Sequence, residues 1–299
     1  MRPLTLVSDP ATLNAALEVW YIQNRIAGGL PFTMVQDTGN LHNHVIIYLE
    51  LGGADLNLIR SLKSRGNRVV LFQMGDEYGK KTREAYDLCD GVIKNYFFQD
   101  IFEDIRWVGK VFWSPNGFKS GVGPRDHTRL KPTTDRSFLS AFMGWLSNNG
   151  SYHNERALFQ VQIEACQPNL FVNPSAGFSA GFNVGLYSTV LESAIFCPCP
   201  AGNSPETIRL YDVLEMGCIP ISLKHDFMGS PFALGGVPFP VIDSWEDLPA
   251  FLAEQARIRQ TQPERLLDLQ RTTIAWWQMR QAEIAGRIGH FLFDLRTRA

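Results

Sequence analysis

Apolar runs rich in β-branched and aromatic residues alternate with longer helical patterns over the first 115 residues. Predicted strands cover 4–8, 44–50, 68–74, 91–97 and 110–115. Between them, patterns at helical spacing predict helices over 11–28, 54–66 and 81–90. This alternation of strand and helix predicts a doubly wound α/β domain with a parallel sheet.

The alternation lapses over 121–136, where two prolines and two glycines in a polar stretch predict a linker. It then restarts, with strands predicted over 137–144, 169–173, 195–200 and 218–223. Helices are predicted over 153–166, 185–194, 204–216, 244–258, 263–281 and 282–296. We therefore expect an α/β fold of two Rossmann-like domains, 1–125 and 134–279, with parallel sheets facing a central cleft. A C-terminal helix over about 280–299 is a candidate to pack back on the first domain.

The composition is that of an ordinary soluble globular protein, with 45% hydrophobic and 19% charged residues. The net charge of −2 gives no reason to expect a nucleic-acid partner. The opening sequence "MRPLTLVSDP" has too short an apolar stretch for a signal peptide, and no window resembles a membrane span. We expect a cytoplasmic protein.

Five cysteines, an odd number, lie mostly in apolar runs and are expected to be reduced core thiols. Cys197 and Cys199 are spaced like half of a metal site, but no second pair follows at zinc spacing. No metal site is therefore predicted.

The stretch "CPCPAGNSPETIRLYDVLEMGCIPISL" over 197–223 holds the strongest candidate chemistry. A strand is followed by the turn Ala201-Gly202-Asn203, with Ser204 as a helix N-cap and Pro205 in the first helical position. A helix N-terminus at the carboxyl end of a strand binds anions, and Arg209 can add its guanidinium to a phosphate. The alternative is an ordinary capped loop in which Arg209 pairs with Asp212 one turn away.

This stretch resembles the signature of the exostosin-type glycosyltransferases. The features that match are Pro200-Ala201-Gly202, Arg209, Asp212 and Gly217-Cys218-Ile219-Pro220, in that order. "SPF" (230–232) and "VIDSWEDLPAFL" (241–252) also resemble the family, and "FQMGDE", "DGVIKNYF" and "FWSPNGF" are similar to its bacterial and ribitol-xylosyltransferase branch. One departure is Lys224-His225, where family members often carry an acidic residue.

The resemblance implies an inverting enzyme of the GT-B fold whose nucleotide-sugar donor binds the C-terminal domain. It implies no metal or other cofactor, because a helix N-terminus and an arginine would stabilise the leaving diphosphate. Gly144 follows the first strand of the second domain, and Arg156 lies on the next helix, so both join the donor-binding candidates. The full set is Gly144, Arg156, Gly202, Asn203, Ser204, Glu206, Thr207, Arg209 and Asp212.

An inverting transfer needs a general base to deprotonate the acceptor hydroxyl. Asp76 and Glu77 directly follow the third predicted strand, at its carboxyl end, and either acid is a candidate. The alternative is a turn that caps the next helix. Asp37, in the turn cluster "VQDTGN", is a reserve candidate.

The sequence therefore predicts a metal-independent glycosyltransferase that moves a sugar from a nucleotide diphosphate to a glycan or glycolipid acceptor, as in surface polysaccharide synthesis. Two other functions remain open: a nucleotide-sugar epimerase of the same fold, and an inert subunit that binds nucleotide or glycan. The basic end "DLRTRA" is a candidate for peripheral contact with the inner face of a membrane.

Overall fold

A computed structural model describes residues 1–8, 19–26, 33–81, 83–147, 154–177 and 183–298. The described chain forms two units, each with its own parallel sheet. The first unit comprises 1–116, 230–233 and 280–299, and the second comprises 117–229 and 234–279.

The first unit is built on six parallel strands in the order β2-β1-β3-β4-β5-β6. Their bounds are β1 Leu4–Val7, β2 Thr33–Val35, β3 Val45–Glu50, β4 Arg68–Gln73, β5 Gly91–Lys94 and β6 Val111–Trp113. The central strands are runs of buried apolar side chains, because helices cover both faces of such a sheet. The edge strand β2 was not predicted.

Short helices connect these strands: α1 Val19–Tyr21, α2 Leu56–Ser64, α3 Glu84–Leu88 and α4 Gln99–Phe102. A π-helical turn, Ile22–Ile26, follows α1. Most of the predicted helix 11–28 lies outside the described residues. Helix α2 begins where Asp55 accepts hydrogen bonds from Asn57 N at 2.9 Å and Leu58 N at 3.1 Å.

The second unit has five parallel strands in the order β11-β10-β9-β7-β8. They are β7 Phe138–Trp145, β8 Leu170–Ser175, β9 Ala194–Pro198, β10 Ile219–Leu223 and β11 Val241–Ile242. Their helices are α5 Glu155–Gln162, α6 Val184–Glu192, α7 Ile208–Glu215, α8 Asp226–Gly229, α9 Leu248–Thr261 and the start of α10 Pro263–Thr297. The predicted helices 263–281 and 282–296 are therefore one helix, since no residue between them breaks it.

Residues 121–136, predicted as a linker, belong to the second unit. Buried Arg136 fixes the end of this segment by donating to the carbonyl oxygens of Leu191 at 3.1 Å, Ala194 at 2.8 Å and Met216 at 2.9 Å. These bonds satisfy carbonyl groups at the ends of two helices and the start of β9.

All five cysteines are buried and free, as the sequence predicted. Among the helices of the described part of the chain, none is both long enough and apolar enough to cross a membrane.

Candidate functional site

The donor candidates lie at the point where the strand order of the second sheet reverses. Strand β7 is first in the chain, with β8 on one side of it and β9 on the other. In open α/β sheets, ligands bind at the carboxyl ends of the strands that flank such a point. Gly144 lies in the carboxyl end of β7, and the turn 201–206 follows β9.

Arg209 extends from helix α7 to the carboxyl end of β7. Its Nη1 donates to the carbonyl oxygen of Met143 at 2.6 Å, and its guanidinium carbon lies 4.2 Å from the centre of the Phe142 ring. Its Nε is buried without a hydrogen-bond partner in the described structure. Gly144 has a φ of +152°, and a β-carbon there would overlap Nη2 of Arg209. Glycine is therefore required where the arginine crosses the strand.

Arg156, on helix α5, joins the same strand end to the turn after β9. Its Nη1 donates to Trp145 O at 2.6 Å, and its Nε donates to Ala201 O at 3.1 Å. Burial and, to a smaller extent, the positive charge of Arg209 lower the pKa of Arg156 to about 10. The structure thus brings together two of the predicted donor residues as a pair of like charges.

The turn 201–206 corrects the predicted start of the next helix. Helix α7 begins at Ile208 with Thr207 as its N-cap, so Ser204 is not the N-cap and Pro205 is not in the first helical position. The reason is a compact turn in which Gly202 N donates to Ser204 O at 3.1 Å and Thr207 N donates to Pro205 O at 3.0 Å. The Thr207 side chain makes no capping bond, so first-turn amides remain for another acceptor.

Glu155 holds this turn in place, and sequence reasoning missed it. Its Oε2 accepts from Ala201 N at 3.0 Å and from Trp245 Nε1 at 3.3 Å. Its Oε1 lies 3.2 Å from Nε2 of His225, the position where the sequence departs from the family pattern. A glutamate directly before Arg156 on a helix with a polar outer face gave no signal that it would be buried.

Asp212 does not form an ion pair with Arg209 in the described structure, so the pairing that the alternative expected is not observed. Its Oδ1 accepts from Lys119 N at 2.7 Å, and its Oδ2 accepts from Tyr187 OH at 3.1 Å. Burial raises the pKa of Asp212 to about 6. Its contacts anchor the segment that enters the second unit.

Of the remaining donor candidates, Glu206 is buried and accepts from Tyr211 OH at 2.8 Å. Ser204 Oγ accepts from Glu206 N at 3.2 Å, and Asn203 is half-buried in the turn. These contacts shape the turn, and the role of all three in donor binding stays a prediction.

Comparison with known proteins identifies this region. Residues 101–240 match the exostosin GT47 domain. This match, a little under half of the chain, makes the region similar to an exostosin-type glycosyltransferase domain. The match includes every donor candidate from Gly144 to Asp212.

Plant proteins are among the curated relatives that this chain resembles. The probable glucuronosyltransferase GUT1 of Oryza sativa subsp. japonica is 30% identical over 130 residues, which is 42% of this chain and 28% of that protein. The probable β-1,4-xylosyltransferase IRX10 of Arabidopsis thaliana is 33% identical over 69 residues, which is 23% of this chain and 15% of that protein. The chain thus spans less than a third of the length of these relatives.

The fold is GT-B-like, as predicted: it contains two α/β units with parallel sheets. A crystal structure of the GtfA/B complex superimposes with a TM-score of 0.51 at 12% identity, covering 86% of this chain and 58% of that chain. At this identity the likeness concerns the fold alone.

The predicted base candidates Asp76, Glu77 and Asp37 lie in the first unit. Asp76 is buried, and its Oδ2 lies 2.9 Å from Nζ of Lys94. Its Oδ1 accepts from Lys80 N at 2.9 Å and from Lys81 N at 3.2 Å. Asp76 thus stabilises the turn that follows β4, but it does not cap the next helix, whose N-cap is Arg83.

Glu77 and Asp37 occupy different surroundings. Glu77 is half-buried and accepts from Tyr96 OH at 3.1 Å. Asp37 is exposed and accepts from Gly39 N at 2.8 Å within its own turn. It follows the edge strand β2, which β1 and β3 separate from β4, so the sheet does not bring it to Asp76.

Over the described ranges, no group of three or more His, Cys, Asp or Glu side chains is arranged to hold a metal ion.

Proposed function

We propose that the protein is an inverting glycosyltransferase that transfers a sugar from a nucleotide diphosphate to a glycan or glycolipid acceptor. One observation carries the proposal: Arg156 and Arg209, each 8% exposed, meet at the carboxyl end of β7 without a carboxylate partner in the described structure. Two buried like charges repel each other, so a bound dianion would relieve an unfavourable interaction as well as add hydrogen bonds.

The diphosphate would lie between these guanidinium groups and the first turn of α7. The acceptor hydroxyl oxygen forms a bond to the anomeric carbon while the bond from that carbon to the diphosphate oxygen breaks. The diphosphate leaves with the electron pair, and the hydroxyl proton passes to a carboxylate. Fixed positive groups at the leaving oxygen stabilise the charge that develops there, which is the role a metal fills in other transferases.

The first test is nucleotide binding. A panel of nucleoside diphosphates in a thermal-shift assay should raise the melting temperature, since a ligand that binds only the folded state stabilises it. Arg209→Ala should abolish the shift while the protein stays folded, and Arg209→Lys should restore little because a lysine lacks the planar fork of donors. Unchanged nucleoside diphosphate affinity in Arg209→Ala would refute the assignment.

Arg259→Ala provides a matched control. Arg259 is in the same unit and also donates to backbone carbonyls, those of Arg136 at 2.6 Å and Ser137 at 3.3 Å. These residues precede β7, at the end of the strand opposite Gly144. The substitution removes a comparable arginine far from the donor candidates, so nucleotide binding should persist.

Product analysis distinguishes transfer from the other two functions. With a single nucleotide sugar, an epimerase turns it over alone, a transferase needs an acceptor apart from slow hydrolysis, and an inert subunit does neither. The names of the relatives make glucuronosyl and xylosyl donors the first to test. Surface polysaccharide fragments are the first acceptors to test.

We also propose that the protein works in the cytoplasm at the inner face of a membrane. The end of helix α10 supports this, because it carries the exposed Phe293 and the basic residues Arg287, His290 and Arg298, which together with Asp294 line a cavity of about 540 Å³. Apolar and basic side chains together favour an anionic lipid surface. The protein should pellet with vesicles that contain phosphatidylglycerol and remain in solution with neutral ones, and equal recovery with both would contradict the proposal.

A further inference from the structure

The C-terminal part of helix α10 lines a cavity of about 540 Å³. Arg287, His290, Asp294 and Arg298 recur along the helix at intervals of three or four residues, which places them on one face. The rest of the lining is apolar side chains and glycines: Gly109, Phe112, Gly286, Phe291 and Leu295. All of these residues belong to the first unit, so a single unit forms the whole cavity.

A smaller cavity of about 150 Å³ adjoins the first one. The two cavities share Gly109, Phe112 and Arg287. Apart from Gly109 and Arg287, the smaller cavity is lined only by apolar side chains of the first unit: Phe102, Val108, Val111, Phe112, Trp113, Phe232, Ile284 and Ile288. A cavity with basic residues and an apolar cavity therefore meet at Arg287.

Arg287 is the cation of this face that an anion would stabilise most. Arg298 pairs with Asp294 at 3.1 Å, and Arg280 pairs with Glu283 at 2.7 Å. In the described part of the chain, Arg287 has no carboxylate within ion-pair distance. Partial burial and, to a smaller extent, the charge of Arg280 lower the pKa of Arg287, and the charge of Glu283 acts in the opposite direction. A bound phosphate would give this guanidinium group a charged hydrogen-bond partner.

The edge of the smaller cavity carries apolar side chains that face solvent. Val108, which lines the cavity, is 56% exposed, and Ile105 in the same loop is 84% exposed. A small free anion would gain nothing from these side chains. A ligand with an acyl chain would remove apolar surface from water here and in the cavity. The two cavities together thus fit a molecule with an anionic head group and an apolar chain.

We propose that the two cavities bind one anionic phospholipid, with its phosphate at Arg287 and part of one acyl chain in the smaller cavity. This inference deepens the membrane contact proposed above and does not depend on glycosyl transfer. Adsorption to a charged surface needs only net charge and exposed apolar side chains. A single lipid site requires, in addition, a fixed stoichiometry and a dependence on the acyl chain.

A soluble short-chain lipid measures the site without a membrane. Titration calorimetry with dihexanoyl phosphatidylglycerol, below its critical micelle concentration, should show one lipid bound per protein. Glycerophosphoglycerol keeps the head group and lacks the chains, so it should bind at least about tenfold more weakly, the effect of losing two buried methylene groups. Dihexanoyl phosphatidylcholine should also bind more weakly, because its own cation opposes Arg287. Equal affinity for glycerophosphoglycerol and the lipid would overturn the inference.

Gly286→Leu tests the larger cavity without changing its charge. A β-carbon on Gly286 has nothing within 4 Å, so the leucine side chain occupies space that the lipid needs. Affinity for the short-chain lipid should fall at least about tenfold. Gly289→Leu is the matched control, since Gly289 lies on the same helix, has the same free space and lines neither cavity. Leucine is a better helix former than glycine, so both variants should fold. Unchanged affinity in Gly286→Leu would refute the site.

Arg287→Gln tests the phosphate contact. Lipid affinity should fall by about tenfold, the scale of one hydrogen bond to a charged group. Arg271→Gln changes another arginine of α10, one that pairs with Asp268 at 3.8 Å in the second unit, and should leave lipid affinity unchanged. If vesicles retain the protein but the soluble lipid does not bind, the membrane contact stands and the lipid site fails. If the soluble lipid binds one to one but vesicles do not retain the protein, the membrane contact fails and the site stands.

Discussion

Gly144 and Arg209 share one space at the carboxyl end of β7: any side chain on the glycine would overlap Nη2 of the arginine. The guanidinium crosses the strand there and donates to Met143 O at 2.6 Å. A glycine and an arginine far apart in the sequence therefore act as one structural element. The position of the guanidinium depends on the missing β-carbon.

The first prediction follows from this relationship. Gly144→Ala should displace the guanidinium and weaken nucleoside diphosphate binding by about tenfold to a hundredfold, the scale of one or two charge-assisted hydrogen bonds. The double variant Gly144→Ala/Arg209→Ala should lose little more nucleoside diphosphate affinity than Arg209→Ala alone, because both changes remove the same interaction. Titration calorimetry on the two single variants and the double variant measures this coupling, and fully additive losses would contradict it.

How far the sequence predicts this site depends on the kind of contact. Runs of buried apolar residues are visible in the sequence, so most strands were predicted within one to three residues of their bounds. Gly144, Arg156 and Arg209 were each singled out for their own chemistry. That all three meet at Met143, Trp145 and Ala201 depends on strand order, which no local pattern encodes.

The burial of Glu50 was not predicted, for a related reason. A single glutamate at the end of the apolar run "HVIIYLE" is what an exposed strand end looks like. Its burial follows from the register that aligns it with Gln73 and Lys94. Ser204 and Pro205 were assigned to a helix start on good local preferences, and the turn's own hydrogen bonds override those preferences.

The second prediction concerns metal. If the buried guanidinium groups of Arg156 and Arg209 stabilise the leaving diphosphate, turnover should persist in excess chelator. The measurement is transfer rate with EDTA and with added magnesium or manganese. Activity that vanishes in chelator and returns with either ion would show that the arginines do not suffice.

The third prediction concerns the C-terminal helix. A β-carbon on Gly91, the first residue of β5, would overlap the ring of Phe291 on α10. Phe291 also packs on Phe112 of β6, with ring centres 4.7 Å apart. Gly91→Ala should therefore lower the free energy of unfolding by ~1–3 kcal/mol, as overpacking does.

Phe291→Leu provides the check on that interpretation. In the Phe291→Leu background, Gly91→Ala should lower the free energy of unfolding by less than it does in the wild-type protein, because the smaller leucine side chain leaves room for the methyl group. Gly289→Ala, on the same helix and without a close neighbour, should be neutral or slightly stabilising. Equal costs of Gly91→Ala in both backgrounds would mean that the ring is not the obstacle.

The last prediction concerns Asp212 and pH. Burial raises the pKa of this carboxyl from 3.8 to about 6 in the folded protein. Between these two pH values the folded state binds more protons than the unfolded state, so stability falls as pH rises. The stabilisation that the protonated Asp212 carboxyl gives the folded state is fully present below pH 3.8 and is lost as pH rises through about 6. The shift corresponds to about 3 kcal/mol, at 1.36 kcal/mol for each pKa unit.

Asp212→Asn isolates this contribution, since the amide oxygen still accepts from Lys119 N and no group titrates. Denaturant unfolding of both proteins from pH 4 to pH 7 measures the difference in the free energy of unfolding. Relative to that of the wild-type protein, the free energy of unfolding of the variant should increase as pH rises, by up to about 3 kcal/mol. The increase should level off above pH 6. A difference that is constant over this range would mean that Asp212 titrates in the folded protein as it does in the unfolded chain.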